Sequence, residues 1–309
     1  MKRHRHWQDL GAENRGASVA MGNFDGVHLG HRSVIDLARR EGLALGIVTF
    51  EPHPREFFAP GAPPFRLMNA AARANRLARL GVEQLYELSF DETLARLSPE
   101  EFVEEVLVAG LGVAHVVVGE DFCFGKGRAG NAATLQEAGR RYGFEVTLAP
   151  IVSTPGGPDI SSTAIRQALS EGRPRDAAEM LGHWHRIEGE VIHGEKRGRE
   201  LGFPTANMGI EGLHLAKLGV YAVKVDVLTG PHKGSYGGAA SLGVRPMFGE
   251  NTPNLETNLF DFAGDLYGAE LSVALVDYLR PELKFSGLSE LITQMDLDCM
   301  RAREILAEL

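Results

Sequence analysis

Cysteine is almost missing. The 309 residues hold two, Cys123 and Cys299, far apart and without metal-ligand spacing. That excludes a disulfide framework and a cysteine-based zinc site, and the pair is expected to stay reduced in a cytoplasm. Long apolar runs are missing as well: none approaches the length that crosses a bilayer, so no membrane partner is expected. The start, Met1-Lys2-Arg3-His4-Arg5-His6-Trp7, is basic, but no continuous apolar segment follows it and no signal peptide is read there. Positive charge is in deficit, 32 Lys and Arg against 41 Asp and Glu. A net charge of −9 argues against a nucleic-acid partner, which usually requires a basic footprint. What remains, 44% hydrophobic and 24% charged, is an ordinary globular composition with room for two domains.

The organising stretch is Val19-Ala20-Met21-Gly22-Asn23-Phe24-Asp25-Gly26-Val27-His28-Leu29-Gly30-His31. An apolar strand from Ser18 to Met21 turns through three glycines and delivers two histidines three residues apart. Val34, Ile35, Leu37 and Ala38 then fit one face of a helix. Free backbone N–H groups and the positive end of the helix dipole favour an anion at such a junction. Two imidazoles add donors, and Gly22, Gly26 and Gly30 let a large ligand approach the backbone. An isolated H-x-G-H arises by chance, and a single histidine is more often structural. The flanking strand and helix favour phosphate binding with transfer at an α-phosphate.

Between residue 18 and about 170, short apolar runs alternate with helical ones. Leu43 to Phe50, Val82 to Leu88, Val113 to Val118 and Phe144 to Ala149 read as strands; Ala70 to Leu80 and Asn131 to Tyr142 read as helices. Ser98-Pro99-Glu100-Glu101 opens another helix with a capping residue, a proline and a glutamate at the matching positions. This alternation predicts a doubly wound parallel sheet whose ligands bind beyond the carboxyl ends of the strands. Gly119 to Gly130 carries Lys126 and Arg128 among four glycines, a composition that suits phosphates or a mobile loop. Ile160-Ser161-Ser162-Thr163-Ala164-Ile165-Arg166 opens a helix with three hydroxyls and an arginine. One hydroxyl suffices for a cap; the excess favours a second phosphate contact. In Glu51-Pro52-His53-Pro54-Arg55-Glu56-Phe57-Phe58 the prolines predict a rigid loop, and the phenylalanines suit either a planar ligand or the core.

Glu171 to Arg186 reads as a connector. After it come β-rich runs, Ile187 to His193, Gly219 to Val227, Ser235 to Leu242, Leu255 to Phe262 and Glu270 to Leu279, and then one helix from Leu288 to Leu309 with Leu288, Leu291, Ile292 and Met295 as its apolar stripe. Spaced strands of this kind predict a small antiparallel barrel. Thr205 and Asn207 alternate, so on an extended chain both point to one side, where hard oxygens could hold Mg²⁺ with nucleotide oxygens. Taken alone, Glu256 reads as a surface glutamate.

Several motifs, in order, resemble the prokaryotic bifunctional riboflavin kinase/FMN adenylyltransferases, also called FAD synthetases. They are Gly22 to His31, Thr49 to Pro54, Gly119 to Phe122, Phe124 to Gly130, Ile160 to Thr163 with Arg166, His193-Gly194, Gly202 to Asn207, Gly219 to Tyr221, Asp261-Phe262, Gly264 to Gly268 and Ala302-Arg303. The resemblance implies a Rossmann-like HxGH nucleotidyltransferase domain over 1–182 and a small antiparallel β-barrel kinase domain with a C-terminal helix over 183–309. It implies that riboflavin is phosphorylated by ATP to FMN in the second and FMN adenylylated to FAD in the first. His28 and His31 would contact the phosphates, and Glu256 would take the proton of the ribityl hydroxyl. Thr205 and Asn207 would hold Mg²⁺. Nucleotide and flavin binding would fall to Gly22, Asn23, Phe24, Asp25, Gly26, Asp121, Lys126, Arg128, Ser161, Ser162, Thr163 and Arg166 in the first domain. In the second it would fall to Gly194, Lys196, Gly198, Arg199 and Arg303. The implied partners are small molecules alone (riboflavin, FMN and ATP), with no oligomeric state read. The chain departs from the pattern at His183-Trp184, at Glu256-Thr257-Asn258 and across Asn69 to Leu77. Two rival readings stand beside this one: an adenylyltransferase whose barrel only captures flavin, and a flavin-binding or sensing protein without chemistry.

Overall fold

The computed structural model describes residues 1–153, 159–193, 203–247 and 250–309. They form two compact units: Met1–Pro63 with Arg73–Ile160, and Pro64–Ala72 with Ser161–Leu309.

The first unit contains β1 (Lys2–His4), β2 (Ser18–Met21), α1 (Leu29–Leu37), β3 (Leu45–Glu51) and α2 (Pro54–Phe58). Helix α3 (Ala70–Arg79) begins in the second unit and ends in the first. Next come β4 (Gln84–Ser89), α4 (Glu92–Arg96), α5 (Pro99–Glu101), β5 (His115–Gly119), β6 (Cys123–Phe124), β7 (Gly130–Asn131), α6 (Ala132–Tyr142) and β8 (Glu145–Ala149). Six strands make one sheet in the order β1-β4-β3-β2-β5-β8, every neighbouring pair parallel. From β2 the chain proceeds outward through β3 and β4, then returns to lay β5 and β8 on the other side. The order therefore reverses between β2 and β5, which creates a crevice beyond their carboxyl ends. Residues of β2 and β3 are buried almost throughout, as expected of parallel strands covered on both faces.

The capping box at Ser98 is present: its Oγ accepts from the Glu101 amide at 3.2 Å, and Glu101 Oε2 accepts from the Ser98 amide at 2.7 Å. The helix then widens into a π-helical segment, Phe102–Leu111, that buries Phe102, Val103, Val106, Leu107 and Leu111. Strand β1 has no counterpart in the sequence reading, because three edge residues paired to β4 carry no apolar pattern.

The second unit contains α7 (Ser162–Ser170), α8 (Pro174–Leu181), β9 (His185–Glu190), β10 (Ala206–Gly209), β11 (Gly219–Val227), β12 (Gly234–Met247), β13 (Glu250–Leu259), β14 (Glu270–Arg280) and α9 (Leu288–Ala307). Its strands form an antiparallel sheet in the order β10-β13-β12-β11-β14-β9. A bridge between Ile192 and Asn207, with the Ile192 amide donating to the Asn207 carbonyl at 2.9 Å, brings its ends together into a near-closed barrel. Small residues, Ala222 and Ala239 on the barrel and Ala302 on α9, let the C-terminal helix pack against the barrel wall with Phe260, Val276 and Ile305.

Two expectations are corrected here. The connector contains α8, started by Pro174 and burying Pro174, Ala177, Met180 and Leu181. The stripe on α9 is only partly packed: Leu288 is 57% exposed and Leu291, Ile292 and Met295 are half-buried, while the buried residues are Asp298, Ala302 and Ile305. Asp298 is drawn inward by Arg280, whose Nη2 meets its Oδ2 at 2.6 Å.

His185 is buried, and burial, reinforced by His183 and His214, pushes it down to about 3. Below about pH 6.5 the unfolded chain binds a proton at this position that the folded chain refuses. Stability is therefore complete above pH 6.5 and drains away as pH falls toward 3. Between pH 7 and pH 5 this one group costs about 2 kcal/mol. Denaturant titrations of wild type and His185→Gln at the two pH values are expected to differ in pH dependence by about that amount. Equal slopes would contradict it.

Candidate active sites

In the first unit the turn after β2 ends at His28, the N-cap of α1, whose Nδ1 accepts from the His31 amide at 3.2 Å. The two imidazoles stack, centroids 3.6 Å apart and planes 17° from parallel. Phe24 lies against His31 with centroids 5.2 Å apart. A Cβ at Gly30 would sit 3.1 Å from the His28 ring, so any larger residue there would push that ring by a few tenths of an ångström. Phe24 at φ 52° and Val27 at φ 44° hold left-handed backbone, with Gly26 at φ 90° between them. Side chains with a Cβ, and branched ones above all, avoid that region, and such strain collects at functional sites. Asp25 and His28 are buried.

Two imidazolium ions about 4 Å apart would repel by about 4 kcal/mol at an effective dielectric of 20, so the pair does not carry two protons. Burial first, and His28 second, hold His31 well below the ordinary histidine value. Its Nδ1 is buried with no hydrogen-bond partner among the described residues. An anionic oxygen would satisfy that atom.

The loop after β5, on the other side of the crevice, is a hairpin: Cys123 pairs with Asn131 and Phe124 with Gly130. Lys126 and Arg128 are exposed at its tip and Asp121 at its approach. Gly125, at φ 72°, could not carry a Cβ, which would lie 2.7 Å from the Pro99 nitrogen. The Glu51 to Phe58 stretch contains the short helix α2, capped by His53 with Glu56, rather than a plain loop. Phe57 and Phe58 meet Phe90 edge-on, and Phe58 remains 67% exposed.

The Ser161 to Arg166 motif belongs to the second unit. Ser161 Oγ accepts from the Ala164 amide at 3.2 Å and so caps α7. Ser162 is half-buried and Thr163 exposed. Arg166 Nε donates to the Phe65 carbonyl at 2.6 Å, with its guanidinium 5.3 Å from the Phe65 ring.

On the barrel, Asn207 of β10, Glu256 of β13 and Ser241 of β12 stand in one row of the sheet. Asn207 Nδ2 donates to the Thr205 carbonyl at 3.4 Å. Asn254 Nδ2 donates to Asn207 Oδ1 at 3.3 Å and to Glu256 Oε1 at 3.4 Å. A carboxylate only accepts, so this chain fixes which way both amides point. Asn254 was missed by the sequence reading; its only signal was the i, i+2 spacing from Glu256. Its Oδ1 is buried without a partner among the described residues. Among the described residues no cluster of His, Cys, Asp or Glu could hold a metal by itself. Neutral and carboxylate oxygens of this kind suit Mg²⁺ that arrives with phosphates and keeps its waters.

Arg303 pairs with Asp261, Nη1 to Oδ2 at 2.8 Å and Nη2 to Oδ1 at 2.9 Å, and lies 4.2 Å from the Phe260 ring centroid. That hydrogen-bonded pairing holds the Asp261 carboxyl below its ordinary value. Gly194, Lys196, Gly198 and Arg199 lie outside the described residues.

A family model described as FAD synthetase matches residues 10–164, and one described as Riboflavin kinase matches residues 181–306. A Pseudomonas fluorescens protein named bifunctional riboflavin kinase/FMN adenylyltransferase is 41% identical over 308 residues, covering 98% of this chain and 97% of that one. The chain belongs to the bifunctional riboflavin kinase/FMN adenylyltransferase family. The Escherichia coli (strain K12) protein of the same name is 39% identical, covering 95% of this chain and 94% of its own. A solved chain from Streptococcus pneumoniae, described as a macrolide-efflux protein, superposes with a TM-score of 0.80 at 31% identity and covers 96% of each chain. No helix among the described residues is long and apolar enough to cross a membrane. Of the departures from the family pattern, Asn258 has an evident task here: its Nδ2 donates to the Pro204 carbonyl at 2.8 Å, beside Thr205.

Proposed function

We propose that this chain makes both flavin cofactors, phosphorylating riboflavin to FMN with ATP in the barrel and adenylylating FMN with a second ATP in the α/β half. The observation that carries the reading is the stacked histidine pair, His28 buried and His31 half-buried, at the sheet's reversal point, in the same chain as the Asn207–Asn254–Glu256 row. We place the boundary between the two catalytic halves at 182/183 and the protein in the cytoplasm. The efflux description stays with the Streptococcus chain, since both family models and the relatives at 39–41% identity name flavin chemistry.

In the kinase half, Glu256 accepts the proton of the ribityl 5′-hydroxyl as that oxygen attacks the γ-phosphorus, a role worth roughly 10²–10⁴-fold. Thr205 and Asn207 present oxygens toward the nucleotide and would hold Mg²⁺, which neutralises phosphate charge when bound. Asn254 orients Glu256 and Asn207. Gly194, Lys196, Gly198 and Arg199 complete the nucleotide loop, and Arg303 covers the flavin once it leaves Asp261.

In the adenylyltransferase half the nucleophile is the FMN phosphate, already an anion, so no base is needed. The site must align the phosphates and stabilise the departing pyrophosphate. His28 and His31 donate to the triphosphate, and Gly22 to Gly26 admit it to the backbone. Asp121, Lys126 and Arg128 border it; Ser161, Ser162, Thr163 and Arg166 receive the pyrophosphate.

Incubation with riboflavin, ATP and Mg²⁺, with flavins separated over time, is expected to show FMN rising first and FAD following. Absence of both products would overturn the proposal. Asn254→Ala is expected to lower kcat for riboflavin phosphorylation roughly tenfold, the worth of a hydrogen bond to a charged group. An unchanged kcat would remove Asn254 from the site.

A further inference from the structure

We propose that Arg73 is a positioning residue for the phosphate-binding turn: from inside the first unit its guanidinium fixes the backbone at Asn23 and thereby the shape that presents His28 and His31 to a triphosphate. The proposal rests on the adenylyltransferase reading of that half.

Arg73 is 0% exposed, the largest of the fully buried side chains among the described residues. Its Nη2 pairs with Glu51 Oε2 at 2.7 Å and Glu87 Oε1 at 2.9 Å. The same nitrogen donates to the Phe50 carbonyl at 3.4 Å, while Nη1 donates to the Asn23 carbonyl at 3.3 Å. Thr49 Oγ1 reaches that Asn23 carbonyl too, at 3.2 Å. Glu87 is shared with Arg3 at 2.7 Å. Burial pushes Glu87 upward, yet Arg73 and Arg3 outweigh it and hold the carboxyl below its ordinary value.

Stability alone does not call for such a group. A buried ion pair replaced by apolar side chains of similar volume is often neutral or better. What a leucine or methionine could not supply is the pair of donors to carbonyls at the carboxyl ends of β2 and β3. Asn23 directly precedes Phe24, the first left-handed position of the turn that continues to Val27, and strained backbone persists only where its surroundings over-determine it. The planar fork serves that purpose: one nitrogen answers the carboxylates, the other the turn. A lysine has a single nitrogen and cannot do both.

The test uses the full chain in three forms, wild type, Arg73→Lys, and Arg73→Met combined with Glu87→Gln. The double variant removes the charge of Arg73 together with that of the buried Glu87, leaving the part-exposed Glu51 as the charged group on that side, so it is expected to fold even if Arg73→Met alone does not. Titration with α,β-methylene-ATP is followed by the imidazole proton resonances of His28 and His31. KM for ATP and kcat are measured for FMN adenylylation, with riboflavin phosphorylation as internal control. Both variants are expected to melt within a few degrees of wild type, to need at least ten times more analogue to shift those resonances, and to show KM for ATP raised at least tenfold. A well-folded double variant that binds and turns over within twofold of wild type would overturn the proposal. If wild type forms no FAD while the tenfold difference in analogue binding persists, the adenylyltransferase reading falls and the role of Arg73 stands. If the analogue moves neither imidazole in wild type, both fall.

Discussion

Replacing His28 and His31 together with alanine is expected to cut FMN adenylylation by about 10³-fold or more, while riboflavin phosphorylation continues. Removing one donor aimed at developing charge costs about 10²–10³-fold, and this variant removes two from the same spot. The loss belongs in kcat as well as KM, because charge on the departing pyrophosphate grows toward the transition state. The fold is expected to survive the change: the losses include the cap bond that His28 Nδ1 accepts, the ring stack and the Phe24 contact, while the strand and helix on either side keep their own packing. Flavin products separated over time from each variant make the check. A double variant forming FAD at the wild-type rate would show that the stacked rings do not bind the phosphates.

Glu256→Gln is expected to lower riboflavin phosphorylation by roughly 10²–10⁴-fold, the usual worth of a positioned general base. Conversion of supplied FMN to FAD should persist. Glutamine keeps the size and one carbonyl oxygen able to accept from Asn254, so the row on β10 and β13 is retained while the proton acceptor is lost. A kinase rate within a few-fold of wild type would assign the base elsewhere. The two substitutions together separate the rival readings: a barrel that only captured flavin would have no phosphorylation for Glu256→Gln to remove.

How far the sequence discloses this molecule depends on whether a residue's task is local. The turn from Met21 to His31 was legible because strand, glycines, histidines and helix are consecutive, and α1 starts at His28 as that spacing requires. Ser98 was legible for the same reason. The parallel sheet followed from the alternation of runs, but β1 did not, since three edge residues owe their structure to β4 alone. Helix α8 was hidden by Gly172 and Gly182 at its flanks, although Pro174, Ala177, Met180 and Leu181 share a buried face. The stripe on α9 misled because apolar residues mark the packed face only when no charge is bonded inward, and Asp298 is held there by Arg280, 18 positions away.

The candidate sites divide in the same way. Thr205 and Asn207 showed their alternation, whereas the pairing of Asn207 with Glu256 across two strands is a product of barrel register. Arg73 was not singled out in the sequence: it fell within a helix and within the departure across Asn69 to Leu77, and its burial comes from Glu51 and Glu87 on neighbouring strands.

Label tracing addresses the central claim most directly, that one chain directs attack on two different phosphorus atoms of ATP. With riboflavin and [γ-³²P]ATP, label is expected in FMN and then in FAD; with [α-³²P]ATP, FAD is expected to be the one labelled flavin, the kinase step leaving its α-label in ADP and the released pyrophosphate staying cold. Absence of α-label from every flavin, or its appearance in FMN, would contradict the account.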